Sequence, residues 1–285
     1  MIANTFAYER AVSVDEALRL LKESGGDATV LAGGHSILPL MKIRLTTLEK
    51  LIDISRIPEL KGIQQKGDRL EIGALTTHAE ISKDPTVKET IPALAEAAAS
   101  IGDIQVRNRG TVGGNIAHAD PASDLPALAV AFDANIDIQS TEGTETFTAE
   151  DFFLGPLITA IPENSILKTV SFAIPPKEAK STYVKYAHPA TGYAVVGVAA
   201  AIGQMEDGMI TYARVGITGV GDIAFRAEEV ERTLIGNKPT EDLVQEAAKK
   251  ATEGQEMGSD LFASEEYRHH LCQVYTKRAL NKLLF

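Results

Sequence analysis

Leu31-Ala32-Gly33-Gly34-His35-Ser36-Ile37 is the stretch on which the reading of this chain turns. It follows an apolar run, Ala28 to Ala32, that reads as a short buried strand stopped by the glycines, and it precedes a short helix. Paired glycines let backbone N–H groups converge on an anion and let the chain approach it closely. His35 and Ser36 add side-chain donors. A second stretch, Arg107-Asn108-Arg109-Gly110-Thr111-Val112-Gly113-Gly114-Asn115, has the same paired glycines with a hydroxyl and an amide. Either stretch alone is most simply a turn. Together, one in each of two candidate subdomains, they could hold both phosphates of a pyrophosphate. Neither is a Walker A sequence, because no Gly-Lys-Ser/Thr follows at the needed spacing. A third candidate, Gly219-Val220-Gly221-Asp222-Ile223-Ala224, fits GxGxxA after a strand. Asp222 would set a negative charge beside a pyrophosphate, and no ordered βαβ unit surrounds it, so it reads as a strand-to-helix turn.

Working outward, Ser13 to Glu16 reads as a capping box that opens a helix through Leu21, ended by Gly25-Gly26. Leu48 to Ile54 reads as a strand. Ile63–Gln65 and Leu70–Ile72 flank Lys66-Gly67-Asp68 as a hairpin. Thr77 to Glu80 is a second capping box, Ile91 to Ser100 is Ala-rich and helical, Leu125 to Phe132 reads as helix and Asn135 to Gln139 as strand. Pro175-Pro176-Lys177 is the clearest linker. Beyond it, strands are expected near 182–187, 194–204 and 210–218, then amphipathic helices over about 240–252 and 264–284. Strands and helices mix without strict βαβ alternation, which predicts an α+β fold over a doubly wound sheet. The expected division is 1–55, 56–176 and 177–285.

A chain of 285 residues suits two or three modest domains. Its formal net charge of −11 would be repelled by phosphate backbones, so nucleic acid is an unsuitable partner. Charged residues interrupt every apolar run short of a membrane span. The N-terminus has early acidic residues and no basic region before an apolar stretch. It does not read as a signal peptide, and a cytoplasmic location is expected. Cys272 is the only cysteine, too few for a disulfide or an iron–sulfur cluster. The six histidines include no HExxH pattern, so no metal site is expected. If this chain moves electrons, its own cofactor must be organic.

LAGGHSILPLMKIRL (31–45) and GDIQVRNRGTVGGNIAHADPASDLPAL (102–128) together closely resemble the FAD-binding, medium subunits of the molybdenum hydroxylase family, of the carbon monoxide dehydrogenase and xanthine dehydrogenase type. DFFLGPL (151–157) and ENSILKTVSFAIP (163–175) look like the end of that family's flavin domain, and the remainder looks like its C-terminal domain. The resemblance implies two α+β subdomains of the vanillyl-alcohol-oxidase/PCMH type that clasp FAD, followed by a smaller C-terminal α/β domain.

The resemblance also implies positions. Leu31, Ala32, Gly33, Gly34, His35, Ser36 and Ile37, with Thr111, Val112, Gly113, Gly114 and Asn115, would wrap the pyrophosphate with backbone amides. Asp124 matches an acidic residue near the ribityl or phosphate region. Ile101 and Leu167 match apolar contacts. Lys185 matches a lysine near the flavin pyrimidine carbonyl, and Tyr193 an aromatic residue against the isoalloxazine. Each has a plainer alternative: Asp124 as the cap of a helix starting near Leu125, Lys185 as a solvated strand residue, Tyr193 as core, and His118 as a backbone hydrogen-bonder. Where relatives often carry an arginine after the lysine and an Asp before the aromatic, this chain has His188-Pro189-Ala190 and Gly192.

The implied function is electron transfer. FAD, held non-covalently, would take electrons from 2Fe–2S clusters on a small partner subunit. A large subunit would carry the molybdenum cofactor. The electrons would pass on to NAD, oxygen or another acceptor, in a complex expected to be a dimer of heterotrimers. The single cysteine rules out the extra 4Fe–4S cluster that some relatives carry in this subunit. The alternatives are a self-contained FAD-dependent reductase of the same fold, and a non-catalytic assembly subunit.

Overall fold

The computed structural model describes residues 2–285, and among them the strands form four sheets. The first holds β1 (Ala7–Arg10), β2 (Ala28–Leu31) and β3 (Lys50–Asp53), all parallel in the order β1-β3-β2. α1 (Val14–Glu23) links β1 to β2, and α2 (Ile37–Lys42) follows β2. Val14, Ala17, Leu18 and Leu21 recur at helical spacing, so one face of α1 is apolar and buries against Ile52 and Ile54. Ser13 caps this helix by accepting from the Glu16 N–H at 3.2 Å. The Glu16 carboxylate, however, returns to the Val12 N–H at 2.8 Å, one residue short of the expected reciprocal box. α1 runs to Glu23, two residues past the expected Leu21. β3 is shorter than the expected 48–54, because both neighbours pair with it only over Lys50–Asp53. β1 lies outside the expected strands: all four of its residues are exposed, so it carries no apolar alternation in the sequence.

The second sheet is antiparallel, in the order β4-β5-β10-β6-β7. Its strands are β4 (Ile63–Lys66), β5 (Arg69–Gly73), β6 (Asn135–Ser140), β7 (Gly143–Thr148) and β10 (Ile166–Ala173); β8 (Phe153–Gly155) and β9 (Ile158–Thr159) pair with each other as the small fourth sheet. The hairpin expected at Lys66-Gly67-Asp68 joins β4 to β5. The middle strand β10 comes last in sequence, and its register shifts at a bulge between Leu167 and Thr169. Between β5 and β6 run α3 (His78–Lys83), α4 (Pro85–Thr90), α5 (Pro92–Ser100), α6 (Ile104–Arg107), α7 (Val112–His118) and α8 (Leu125–Ala131); α9 (Ala149–Phe152) precedes β8. The Thr77–Glu80 capping box forms in full at the start of α3.

The third sheet is antiparallel too: β11 (Ala179–Ala187), β12 (Ala194–Gln204), β13 (Ile210–Thr218) and β14 (Phe225–Arg226), with α10 (Glu228–Leu234), α11 (Glu241–Lys249) and α12 (Glu265–Leu284) after it. β12 is apolar without interruption because both its faces are covered. Val196, Val198, Ala200 and Ile202 join the core under the C-terminal helices. The alternate residues Ala199 and Ala201 join the core that holds α5 and α8. The mixture of one small parallel sheet with two larger antiparallel ones is an α+β fold. Residues 219–224 join β13 to β14 and α10 starts only at Glu228, so the GxGxxA match is a strand-to-strand loop rather than a strand-to-helix turn. Among the described residues, no helix is long and apolar enough to cross a membrane.

Glu96 on α5 ties the C-terminal helix to the rest of the molecule. It accepts from Thr182 Oγ1 at 2.6 Å, the Tyr183 N–H at 2.8 Å and Lys282 Nζ at 2.9 Å. Burial pushes its carboxyl up, but those three donors outweigh burial and hold it below its ordinary 4.5. A carboxyl with a lowered folded pKa contributes stability above the unfolded value and loses it as pH falls through the folded one. A Glu96→Gln variant should therefore be less stable than the parent at pH 7, and the gap should close on acidification below about 4.5. Urea midpoints from pH 7 to pH 3 measure this; a gap that does not narrow in acid contradicts it.

Candidate cofactor site

The two glycine stretches meet. A methyl added at Gly33 would stand 2.1 Å from the Arg109 carbonyl oxygen, so only glycine lets the first loop lie on the second. Gly34 has φ +77°, the left-handed region that other residues avoid, and it turns the chain from β2 into α2. Along this turn the amides of Gly33, Gly34, His35, Ser36 and Ile37 donate to no group among the described residues. Five successive unpaired N–H groups are a concentrated anion site.

The second loop is built differently. Thr111 Oγ1 caps α7 by accepting from the Gly114 N–H at 3.1 Å. Val112 and Gly113 donate to Thr76 O and Ala74 O at 3.0 and 2.9 Å, and Asn115 donates to Thr111 O at 3.0 Å. The amides of residues 112–115 are thus spent within the protein, where they tie α7 to the end of β5. What this loop offers the cleft is one amide, that of Thr111, which donates to no group among the described residues, and surface: at Gly114 an added Cβ would meet only Thr111 Oγ1 at 2.9 Å and Ala32 Cβ at 3.9 Å.

Between the loops lies a cleft of about 580 Å³, within the range of about 300–1,000 Å³ usual for small-molecule sites. Of the expected residues, Ala32, Gly33, Gly34, His35, Ser36, Ile37, Ile101, Thr111, Gly113, Gly114, Asn115, Asp124, Leu167 and Tyr193 line it. Leu31, Val112 and Lys185 do not. Val112 is wholly buried, and the Leu31 carbonyl is taken by the Ile54 N–H. The cleft continues past the expected set along Val30, Ile54, Ile161 and Ile166 as a largely apolar trough. His78 and His118 line it too. The Thr77 capping box placed His78 at the start of a helix, but nothing in the spacing showed that Thr77 would pair with Thr111 across the loops.

Asp124 lines the cleft, and Lys185 and Tyr183 form a buried cluster with it behind the wall. Asp124 stands at the N-cap position of α8, yet its side chain makes no capping bond. It accepts instead from Tyr183 Oη at 2.5 Å and from Lys185 Nζ at 3.0 Å. Lys185 donates also to Ser100 O at 3.0 Å and Gly192 O at 2.9 Å, so all three of its N–H groups are used on protein oxygens. Its side chain is 9 % exposed, far from a solvated strand lysine. Burial raises the Asp124 carboxyl against the pull of Lys185 and Tyr183. Burial and Asp124 together push the Tyr183 phenol well above its ordinary value. Lys185 thereby fastens three segments of the cleft wall: Ile101-Gly102 beside Ser100, Asp124 itself, and Thr191-Gly192-Tyr193.

Tyr193 stands at the mouth. It is 45 % exposed, not core. Burial, Asp120 and Asp124 raise its phenol. The tight turn of residues 188–192, closed by the Gly192 N–H on His188 O at 2.8 Å, holds it there.

A turn with five free amides, a facing glycine wall and a largely apolar trough suit an extended ligand with an anionic part and an apolar part. The comparisons narrow the class. The domain described as the FAD binding domain in molybdopterin dehydrogenase matches residues 4–176, and the CO dehydrogenase flavoprotein C-terminal domain matches 181–283. The chain belongs to the family of FAD-binding medium subunits of molybdopterin dehydrogenases. It is 38 % identical to the carbon monoxide dehydrogenase medium chain of Hydrogenophaga pseudoflava, covering 99 % of this chain and 98 % of the relative. It is 36 % identical to the glyceraldehyde dehydrogenase medium chain of Sulfolobus acidocaldarius, over 98 % of each. A solved structure of the Hydrogenophaga pseudoflava carbon monoxide dehydrogenase superposes with a TM-score of 0.94 at 40 % identity, covering 99 % of this chain and 98 % of that one.

Proposed function

We propose that this chain is the FAD-carrying electron-transfer subunit of a molybdenum hydroxylase complex. The observation that carries the reading is the run of unpaired amides from Gly33 to Ile37 on a cleft backed by the second glycine loop. FAD bound there supplies the exchange between single-electron and paired-electron transfer. The amides of the first loop, at the start of α2, meet the diphosphate charge. Gly114 and Thr111 give it a flat wall. Ile101, Ile166 and Leu167 exclude water from the apolar end, and Tyr193 covers the mouth. Asp124 and Lys185 act through the wall they hold together. The attachment is non-covalent.

On this reading a small subunit with 2Fe–2S clusters delivers electrons and a large molybdenum subunit performs the hydroxylation. The acceptor is NAD, oxygen or another carrier. The assembly is a dimer of heterotrimers in the cytoplasm, and the division at 55 and 176 separates two FAD subdomains from a C-terminal domain. A cluster needs several cysteine ligands, and the one cysteine here, Cys272, is fully buried, its thiol pushed up to about 12 by that burial.

The test is anaerobic flavin bleaching. The isolated chain should carry one FAD per polypeptide, released by heat, and should not bleach with a hydroxylatable substrate. It should bleach once the molybdenum and iron–sulfur partners are added. Bleaching of the isolated chain by such a substrate would make it a self-contained reductase, and a colourless preparation would make it an assembly subunit.

A further inference from the structure

Among the described residues, His78 is a polar side chain with no partner in a place where polar groups need one. It is 3 % exposed, and Nδ1 is sealed from solvent without a hydrogen bond. Its backbone N–H donates to Gly110 O at 3.0 Å, which draws α3 onto the second glycine loop. Gly110 also adjoins Gly33: a methyl at Gly33 would stand 3.0 Å from Gly110 Cα, while one at Gly110 would stand 2.8 Å from His78 Cδ2 and 3.0 Å from Nε2. The imidazole therefore lies against the crossing of the two loops, and it borders the cleft.

We propose that His78 is a positioning residue for the diphosphate of the bound cofactor, donating to it from Nε2 at the crossing of the loops. The inference rests on the FAD reading above. Burial, then the nearby His35 and Arg107, holds the imidazole down at about 4, so at neutral pH the ring carries one proton. A bare acceptor sealed in the protein costs less than a sealed unpaired N–H. The proton accordingly belongs on Nε2, the nitrogen on the Gly110 side, and leaves Nδ1 as the unmet acceptor. Phosphate oxygens only accept. A neutral imidazole in this tautomer supplies one directed donor there, beside the five amides of the first loop.

The test uses the full chain stripped of flavin, titrated with FAD and with ADP. ADP carries the diphosphate without the flavin. His78→Leu should weaken both ligands about tenfold, the loss of one hydrogen bond to a charged acceptor. His78→Gln, which keeps a donor near the Nε2 position, should stay within about threefold of the parent. A buried group that merely fills space behaves otherwise. The ligand-free His78→Leu protein should melt at the parent temperature or higher, because an unpaired polar group has been replaced by an apolar one. In the parent, the imidazole 15N signals of His78 should shift when ADP is added. Parent affinity for both ligands in His78→Leu overturns the proposal, as does a ligand-free melting temperature that falls along with the affinity. Weakened FAD with unchanged ADP would move the contact to the flavin side and reject the diphosphate assignment. A parent protein that binds neither ligand rejects the cofactor reading itself, and this inference with it.

Discussion

A Gly114→Val protein should purify folded and colourless. Gly114 sits in the first turn of α7 at negative φ, so valine is not forced into a forbidden backbone region. An added Cβ would meet a hydroxyl and, farther off, one methyl, and would otherwise project into the cleft. Valine is no worse than glycine in a helix on propensity, so the fold should lose little more than the Thr111 cap, whose hydroxyl must rotate away from the new Cβ, about 1 kcal/mol. The cofactor loses the surface it lies on, and flavin content should fall at least about tenfold, equivalent to roughly 1.4 kcal/mol or more of binding. Gly33→Ala makes the contrast. Its methyl would collide with the Arg109 carbonyl, so the two loops must separate. That variant should lose stability and flavin together. The measurements are the ratio of absorbance at the flavin band to protein, and the melting temperature of the flavin-free form. Full flavin content in Gly114→Val would remove the second loop from the cofactor site.

Lys185→Met should be the most destabilising single change near the cleft. The ammonium satisfies Asp124, Ser100 O and Gly192 O, and both charged side chains are under a tenth exposed. Removing one partner of a buried pair leaves the other charge uncompensated, at a cost of about 3–5 kcal/mol. The loss has a pH signature. Without the lysine, the Asp124 carboxyl rises further above its unfolded value. A group with a raised folded pKa holds its proton more tightly in the native state, so stability falls as pH climbs from the unfolded pKa to the folded one. The deficit of Lys185→Met should thus be largest at neutral pH and shrink on acidification. An Asp124→Asn/Lys185→Met pair should regain part of it, since a neutral amide is cheaper to bury. Denaturant midpoints across pH decide the matter. A Lys185→Met protein within about 1 kcal/mol of the parent would mean that the three bonds add nothing beyond surface-pair strength.

Part of this structure is written locally in the sequence. The helix starts at Ser13, Thr77, Thr240 and Ser264 were legible because a cap is a local device, one hydroxyl reaching an N–H three residues on. The hairpin at Gly67 and the apolar run of β12 were legible for the same reason: turn chemistry and burial both write themselves into adjacent residues. β1 and β10 were not. One is exposed along its whole length, and the other gains its central place only by pairing with strands formed much earlier in the chain.

The cleft divides along the same line. The sequence by itself determined that two paired-glycine turns exist, that no cluster of metal-binding cysteines accompanies them, and that the chain has the motifs of a flavin subunit. Only the tertiary structure decided what each glycine does. Gly33 is glycine because a carbonyl from a distant loop lies against it, whereas Gly114 faces the cleft. It also decided that the run of free amides belongs to the first loop, since the amides at 112–114 are consumed by Thr76, Ala74 and a neighbouring hydroxyl and only Thr111 of the second loop keeps a free one. Lys185 and His78 show the limit most sharply. A lysine saturated by three protein oxygens and a histidine left with no partner look the same in a sequence as any other. Hydrogen-bond satisfaction is a property of what surrounds a group in space, and those neighbours come from segments that the chain brings together only by folding.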